Sequence, residues 1–258
     1  MTTARLDHLT RDELARLAPR ATVLVPLGST EQHGPHLPVC ADSAIVTDIA
    51  ERAATQAALD VPVVVAPTLP FGFAHHHLPF GGTVSIGMLT YLQVLTDIGT
   101  SLHASGFRRL IFINGHGGND AAVRAVGDRL VVENGLDMHV AGTSYWTCAA
   151  DALRDMNLDV GPVPGHAGGF ETSCLLALHP DRVRSDQFPP AEESVQPLVR
   201  LGAREAVIRQ PGIWQLSDGR TDDSSRANAD TGEKALENIS DAVARFIVDF
   251  HRSSQVTA

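Results

Sequence analysis

Residues 22–36 read TVLVPLGSTEQHGPH, and this stretch decides the fold class of the chain. Its first five residues form an apolar run, which predicts a buried β-strand. The polar segment that follows leaves the end of that strand, where α/β enzymes place their reactive groups. Within twelve positions it offers four side chains of the types that bind Zn²⁺, Mn²⁺ or Fe²⁺, namely Glu31, His33, His36 and Asp42. The stretch therefore predicts a strand that ends in a metal-binding loop.

Further apolar runs continue an alternation of strands and helices along the chain. After a short capped helix near residues 10–17, strands are predicted at 61–66, 110–113 and 138–142. Helices are predicted at 43–59, 87–105, 120–133, 169–178 and 230–251. Such spacing is typical of βαβ units. We expect a single α/β domain over residues 1–258, with a mostly parallel β-sheet and helices on both faces.

Residues 180–228 differ from the rest, because they are rich in Pro, Asp, Ser and Arg and show weak periodicity. We expect long loops that cover the site or form an oligomer contact, and no separate domain. Within them, Asp218, Arg220 and residues 222–223 are expected to form a solvated, charged surface loop.

Composition restricts the classes of partner. The net charge of −10 argues against a nucleic-acid surface. The apolar runs are far shorter than a membrane span, and the N-terminus lacks an apolar signal segment. Three widely separated cysteines, Cys40, Cys148 and Cys174, make a poor disulfide framework and fit a reducing compartment. We therefore expect a cytoplasmic protein without nucleic-acid or membrane partners.

Two later segments place a histidine among glycines next to a predicted helix start. Residues 114–119 read NGHGGN around His116, and residues 165–171 read GHAGGFE around His166 and Glu171. A glycine-rich turn at a helix start also presents free N–H groups, so the first segment can be interpreted either as a ligand loop or as a phosphate cradle. The turn alone does not separate these two interpretations.

Taken together, the three loops match a hydrolytic metal site better than a structural one. Structural zinc sites favour closed sets of Cys and His, and the chain has no CxxC pair. Two divalent ions that share Asp42 would account for the candidate ligands, which are Glu31, His33, Asp42, His116 and Glu171. His36 or His166 would then be left for proton transfer.

At this point the motifs resemble those of the creatininase family of metal-dependent amidohydrolases. The resemblance is carried by PLGSTEQHGPH at 26–36, NGHGGN at 114–119 and FETS at 170–173. A fourth segment, PFGGTVS at 79–85, is similar to a further family motif and is preceded by three histidines, of which we expect His77 alone to face the site.

The resemblance implies that Glu31 and His116 hold one metal ion, that His33 belongs to the other and that Asp42 bridges them. It also implies that His166 acts near the scissile carbonyl, that the substrate is a small molecule and that the chain forms a homo-oligomer, commonly a hexamer. Creatinine-hydrolysing members carry a glutamate ligand two residues after the motif histidine, where this chain has Gly118. We hypothesise that Glu171 supplies the missing carboxylate, as a ligand and at the catalytic centre.

Five side chains are candidates for contact with the substrate: His36, His77, Ser85, Tyr145 and Trp146. Tyr145 and Trp146 resemble an aromatic pair beside the substrate in creatinine hydrolysis, although ordinary core or interface aromatics fit them equally well.

The leading hypothesis is a divalent-metal amidohydrolase that cleaves a C–N bond of a small cyclic amide or formamide with metal-activated water. Peptidase activity, or hydrolysis of a lactone or diketone, on the same metal site is the alternative within enzymes. An alternative of another class is a non-catalytic phosphate- or nucleotide-binding module that uses the GHGGN turn.

Overall fold

The computed structural model describes residues 4–189, 209 and 211–254. Five strands form one sheet: β1 (Ala4–Arg5), β2 (Thr22–Leu27), β3 (Val63–Val65), β4 (Arg109–Asn114) and β5 (His139–Ser144). The strands pair in the order β1-β3-β2-β4-β5, and every pair is parallel. The predicted parallel sheet is confirmed, whereas the two-residue edge strand β1 was not predicted.

Helices cover both faces of this sheet. The described helices are α1 (Arg11–Leu17), α2 (Ala41–Ala57), α3 (Met88–Ala104), α4 (Asp120–Gly127), α5 (Tyr145–Cys148), α6 (Ala150–Met156), α7 (Gly169–Leu178) and α8 (Ala229–Ser253). The helix predicted at 120–133 changes to π-helical geometry over Asp128–Glu133, where Leu130 packs against Gly99 of α3. The other long helices begin and end within two residues of their predicted bounds.

The side chains of β2 point alternately to the two faces of the sheet. Because both faces are buried, the strand is apolar from Val23 to Leu27. Val23, Val25 and Leu27 pack with α3 and α4 on one face of the sheet. Leu24 points to the other face, which packs against α2, α7 and α8. Burial on both faces is the rule for central strands of parallel sheets, and it produces a continuous hydrophobic run.

The carboxyl ends of the central strands lie side by side. In the pairing of β2 with β4, Leu27 is opposite Asn114, and in the pairing of β4 with β5, Asn114 is opposite Ser144. The loops after these strands therefore leave the sheet at one edge. This register brings the segments that begin at residues 28 and 115 together.

Among the described residues, no helix is both long and apolar enough to cross a bilayer. The three cysteines are free thiols. Of the stretch 180–228, residues 190–208 and 210 lie outside the described residues, so the expected oligomer contact there is not assessed.

Candidate metal centre

Four segments bring the five candidate ligands to the carboxyl edge of the sheet. The loop after β2 carries Glu31 and His33, the first turn of α2 carries Asp42, the turn after β4 carries His116, and the first turn of α7 carries Glu171. All five side chains are buried, with at most 4% of any residue exposed. The structure thus brings together every residue that was predicted to bind metal.

These ligands form two groups that share Asp42, and a further candidate group, Glu31 with His33 and His166, overlaps both. In the first group, His116 Nδ1 lies 3.2 Å from Glu31 Oε1 and 3.1 Å from Asp42 Oδ2. In the second group, His33 Nε2 lies 3.2 Å from Asp42 Oδ1 and 3.7 Å from Glu171 Oε2. Within each group, the ligand atoms all lie within 4.8 Å of one another. Asp42 contributes one oxygen to each group, which is the arrangement expected of a bridging carboxylate.

Backbone carbonyls fix both imidazole rings with one ring nitrogen toward the carboxylates. His33 Nδ1 lies 3.1 Å from the carbonyl oxygen of Glu31, and His116 Nε2 lies 3.0 Å from that of Phe73. A carbonyl oxygen only accepts, so these ring nitrogens carry the protons. In the neutral rings that a metal ion would bind, the opposite nitrogens are the electron-pair donors, and hydrogen bonds of this kind orient histidine ligands in metal sites.

The polar atoms at the centre of the site fit a bound divalent cation. Within the described part of the chain, Glu31 Oε1 and Asp42 Oδ2 are buried and have no hydrogen-bond partner. Buried carboxylate oxygens without a partner are costly, and coordination to a cation removes that cost. Three carboxylates and two imidazoles suit Zn²⁺, Mn²⁺ or Fe²⁺.

The same crowding of charges shifts the pKa values of the ligands. Burial opposes a charge on His33, but the carboxylates of Asp42 and Glu171 outweigh it and raise the pKa of this imidazole to about 10. Burial raises the pKa of the Glu171 carboxyl to about 8. Burial also opposes ionisation of Asp42, yet His33 and His116 hold its pKa below the usual range. The carboxylates therefore favour the protonated form of His33, which in turn favours the ionised form of Asp42.

Gly118 is required by the orientation of His116. A Cβ atom at this position would overlap the carbonyl oxygen of Phe73 and the Nε2 atom of His116. The hydrogen bond between these two groups thus occupies the space in which a longer side chain would begin. The glutamate that the resemblance to the creatininase family implies at this position would not fit this backbone, whereas Glu171 already lies in the second group.

A cavity of about 600 Å³ opens above the first group. Its floor contains Glu31, His116 and His166, and its walls include Phe73, Gly117, Gly118 and Ile213. The Trp214 ring also lines the cavity. Its centroid lies 4.6 Å from that of His77 and 5.4 Å from that of His166. His75, His76 and His77 all line the cavity, so the expectation that His77 alone would face the site was wrong.

His166 lies beside the metal ligands with its two nitrogens in different surroundings. Its Nε2 lies 3.0 Å from the carbonyl oxygen of Gln32 and 3.1 Å from the side-chain amide nitrogen of the same residue, while Nδ1 lies 3.5 Å from Glu31 Oε1. Burial and the neighbouring positive charge of His33 hold the pKa of His166 well below its ordinary value. The ring is therefore held as a neutral imidazole, with Nδ1 facing the Glu31 carboxylate.

The structure places four of the five predicted substrate contacts elsewhere. His36 is fully buried, 2.9 Å from the Thr172 hydroxyl, and the Ser85 hydroxyl accepts a hydrogen bond from the Ala74 N–H at 2.7 Å. Tyr145 is buried with Trp146 against its ring edge at a centroid distance of 4.9 Å. None of His36, Ser85, Tyr145 and Trp146 is among the described residues that line the cavity. His36 and Tyr145 are buried, whereas Ser85 and Trp146 are half-buried.

Sequence reasoning missed three residues at this site. The side-chain amide of Gln32 lies 2.9 Å from His77 Nδ1 and donates to the carbonyl of Gly219 at 2.8 Å, so it joins three segments. Trp214 lies in a stretch without periodicity. Arg220 was expected at the surface but is buried beside Gly34. Only the position of Gln32 inside the first motif was a sequence signal.

The phosphate-cradle interpretation of the GHGGN turn is not supported by this geometry. His116 of the turn faces the carboxylates of Glu31 and Asp42, which repel an anion.

A parallel α/β sheet whose carboxyl edge holds buried carboxylates and imidazoles beneath a cavity defines a metal-binding hydrolase.

Comparison with known proteins gives the family. The family model described as creatinine amidohydrolase matches residues 7–247, and the chain belongs to the creatininase family. It is similar to the mycofactocin precursor peptide peptidase of Mycobacterium tuberculosis, with 34% identity over 93% of this chain and 89% of that protein. It is 31% identical to the creatinine amidohydrolase of Pseudomonas putida, over 89% of this chain and 91% of the other.

Two further matches agree with this assignment. The 3-dehydro-scyllo-inosose hydrolase of Thermotoga maritima is 35% identical over 88% of this chain and 76% of its own length. The solved structure of a Glu-to-Gln mutant creatininase of the Zn–Zn type superimposes with a TM-score of 0.79 at 25% identity, covering 96% of this chain and 98% of the other. The chain is a creatininase-family hydrolase, and its single α/β domain is that of the creatininases.

Proposed function

We propose that this protein hydrolyses a C–N bond of a small cyclic amide or formamide with two divalent metal ions. The observation that supports this proposal is the pair of ligand groups that share Asp42, of which Glu31 and His116 line the cavity. Glu31, Asp42 and His116 would hold one ion, and His33, Asp42 and Glu171 would hold the other. Zn²⁺, Mn²⁺ and Fe²⁺ all suit these ligands.

Ions bound there would supply a hydrolytic nucleophile at neutral pH and polarise the amide carbonyl. The chain's own groups account for the remaining requirements. The neutral His166 ring, next to Glu31, is placed to transfer a proton to the departing nitrogen. Backbone N–H groups of Gly117 and Gly118, in the cavity wall, are candidates to stabilise the developing oxyanion. The Trp214 side chain, which lines the cavity, would exclude water from the bound substrate.

The test combines metal content with hydrolysis. Protein purified without chelators should contain close to two metal equivalents per chain, and it should hydrolyse at least one member of a panel of cyclic amides and formamides. His33→Ala and His116→Ala should each lower kcat/KM at least about 100-fold, since second-shell changes alone cost 10–100-fold. His139→Ala is the matched control, because His139 is exposed at the amino end of β5, at the edge of the sheet opposite the candidate site. Near-normal turnover of either ligand variant would end the proposal.

Peptide hydrolysis is the second candidate, and the size of the cavity favours it. A volume of about 600 Å³ lies within the range for drug-sized ligands and exceeds what a compact five-membered ring requires. Short peptides with the same metal-loaded enzyme are therefore the comparison arm of the panel. Lactones and cyclic diketones belong in it as well, because the chemistry of the site does not distinguish carbonyl leaving groups.

We also propose that the chain functions in the cytoplasm as a homo-oligomer, a hexamer by its resemblance to the family. Free cysteines support a reducing compartment. Sedimentation velocity at micromolar concentration tests the assembly, and a monomer would contradict it.

A further inference from the structure

Thr221 and Asp222 belong to the long loop before α8, yet both contact the segment that carries His166 and Glu171. The hydroxyl of Thr221 accepts a hydrogen bond from the His166 N–H at 2.6 Å. The N–H of Thr221 donates to the His166 carbonyl at 3.0 Å. Both backbone polar groups of His166 are thus held by one residue that lies 55 positions away in sequence.

Asp222 continues this contact onto α7. Its Oδ2 accepts a hydrogen bond at 3.2 Å from the N–H of Gly169, the first residue of that helix. A carboxylate is favoured at a helix N-terminus, where N–H groups point outward. Cβ atoms at Gly161, Gly165 and Gly168 would all crowd this carboxylate, so the absence of side chains there is what admits it.

The backbone between these two anchors is strained. Ala167 has φ of +51°, a left-handed conformation that a residue with a Cβ atom rarely adopts. In this conformation its N–H donates to Glu171 Oε2 at 2.6 Å. Strained backbone at a functional site persists when the surroundings hold it in place. Here Thr221 holds the residue before Ala167, and Asp222 holds the helix start two residues after it.

We propose that Thr221 and Asp222 are positioning residues for the second metal group, and that they act by fixing the Ala167 N–H that orients Glu171. The inference rests on the proposed function, since it takes Glu171 as a ligand. The first group, with Glu31, Asp42 and His116, is held by other segments. Loss of the contact should therefore weaken one of the two metal ions and leave the other unchanged.

The experiment measures Mn²⁺ binding to the chelator-treated full chain by isothermal titration calorimetry, with electron paramagnetic resonance to count bound ions. The variants are Asp222→Ala, Asp222→Asn and Thr221→Val. Asp223→Ala is the matched control, because the neighbouring carboxylate of Asp223 accepts bonds from Ser225 within its own turn. Thermal unfolding of each metal-free variant reports whether the fold is intact.

The expected result is a Kd for one of the two Mn²⁺ ions that is weaker by about 10–100-fold in Asp222→Ala and Thr221→Val, with the other Kd unchanged. Asp222→Asn keeps the shape but loses the charge, so it should show a smaller effect; it also preserves the measurement if the alanine variant fails to fold. Asp223→Ala should bind both ions like the wild type.

Two results overturn the inference: equal Kd values in the wild type and the folded variants, or equal weakening of both ions. Failure of the proposed function has a different signature. In that case the wild-type chain itself would bind fewer than two ions, or would bind two and hydrolyse no member of the panel.

Discussion

At the scale of single residues, the candidate centre depends on which nitrogen of each histidine carries a proton. The carbonyls of Glu31 and Phe73 each hold one N–H of His33 and His116, and this arrangement turns the opposite ring nitrogens towards Asp42. Residue types in the motifs were sufficient to predict which side chains meet. They carried no information about the carbonyl of Phe73, because it lies 43 positions from His116 in a segment without a recognisable element.

Gly118→Ala should disrupt this orientation. Its Cβ would overlap the Phe73 carbonyl and the His116 ring, so either the backbone moves or the hydrogen bond between them breaks. We expect a loss of about 1–3 kcal/mol in the free energy of unfolding, as for overpacked sites, together with reduced metal content. Chemical denaturation and metal analysis measure the two effects.

Gly117→Ala is the control, because a Cβ at that neighbouring glycine would meet no atom within 4 Å. Its unfolding free energy and its metal content should stay close to those of the wild type. If Gly118→Ala behaves like this control, the steric account of Gly118 is wrong.

Glu171→Gln tests whether this residue is the carboxylate that replaces the glutamate absent at position 118. Its Oε2 belongs to the second group only, so the variant should lose about one metal equivalent per chain. Asp42→Asn removes a ligand from both groups and should lose nearly all metal. Metal analysis after gel filtration measures both variants, and unchanged content in Glu171→Gln would contradict the assignment.

At the scale of elements, hydrophobic periodicity predicted most helices and strands because their packing repeats along the chain. In α8, which was predicted at 230–251, Ala235, Ile239 and Val243 recur at helical spacing and are buried. Periodicity failed where structure depends on distant contacts. The edge strand β1 is only two residues long and pairs with β3, so no repeat can reveal it.

The contact between α7 and α8 gives a prediction at this scale. A Cβ at Gly232 of α8 would overlap the carbonyl of Ser173 in α7, so the two helices approach through this glycine. Gly232→Ala should push them apart, lower the unfolding free energy by about 1–3 kcal/mol and weaken the metal group that contains Glu171. Urea denaturation and metal titration measure these effects.

Gly127→Ala, at the end of α4, is the matched control because its Cβ would meet nothing within 4 Å. Alanine is the better helix former by about 1 kcal/mol, so this variant should be neutral or slightly more stable. Equal stability of both variants would show that close approach at Gly232 is not required.

At the scale of the whole molecule, one edge of the sheet collects segments from most of the chain. Motifs from residues 31 to 171 arrive there in the order that the parallel strands dictate, and for that reason their meeting was predictable. The stretch 180–228 was expected to cover the site or to form an oligomer contact, and among its described residues Trp214 lines the cavity while Thr221 and Asp222 contact the segment of His166. Asp222 had been expected in a solvated surface loop. The composition of the stretch is that of a loop, and composition does not reveal which surface a loop covers.

This concentration of buried charge makes the stability of the fold depend on metal. Glu31, Asp42 and Glu171 are carboxylates with at most 3% of each residue exposed, and two imidazoles are their main partners. An ion present at 1,000 times its Kd stabilises the folded state by about 4 kcal/mol. For a chain of this size, that amounts to a rise in Tm of about 8–16 °C.

Chelation should therefore lower Tm by at least this amount, and added Mn²⁺ or Zn²⁺ should restore it in a concentration-dependent way. Differential scanning calorimetry measures the shift, and Asp42→Asn serves as the control, since it should unfold at the same temperature with and without chelator. A Tm that is independent of metal in the wild-type chain would mean that these carboxylates are satisfied without a cation, and the two-ion centre would have to be abandoned.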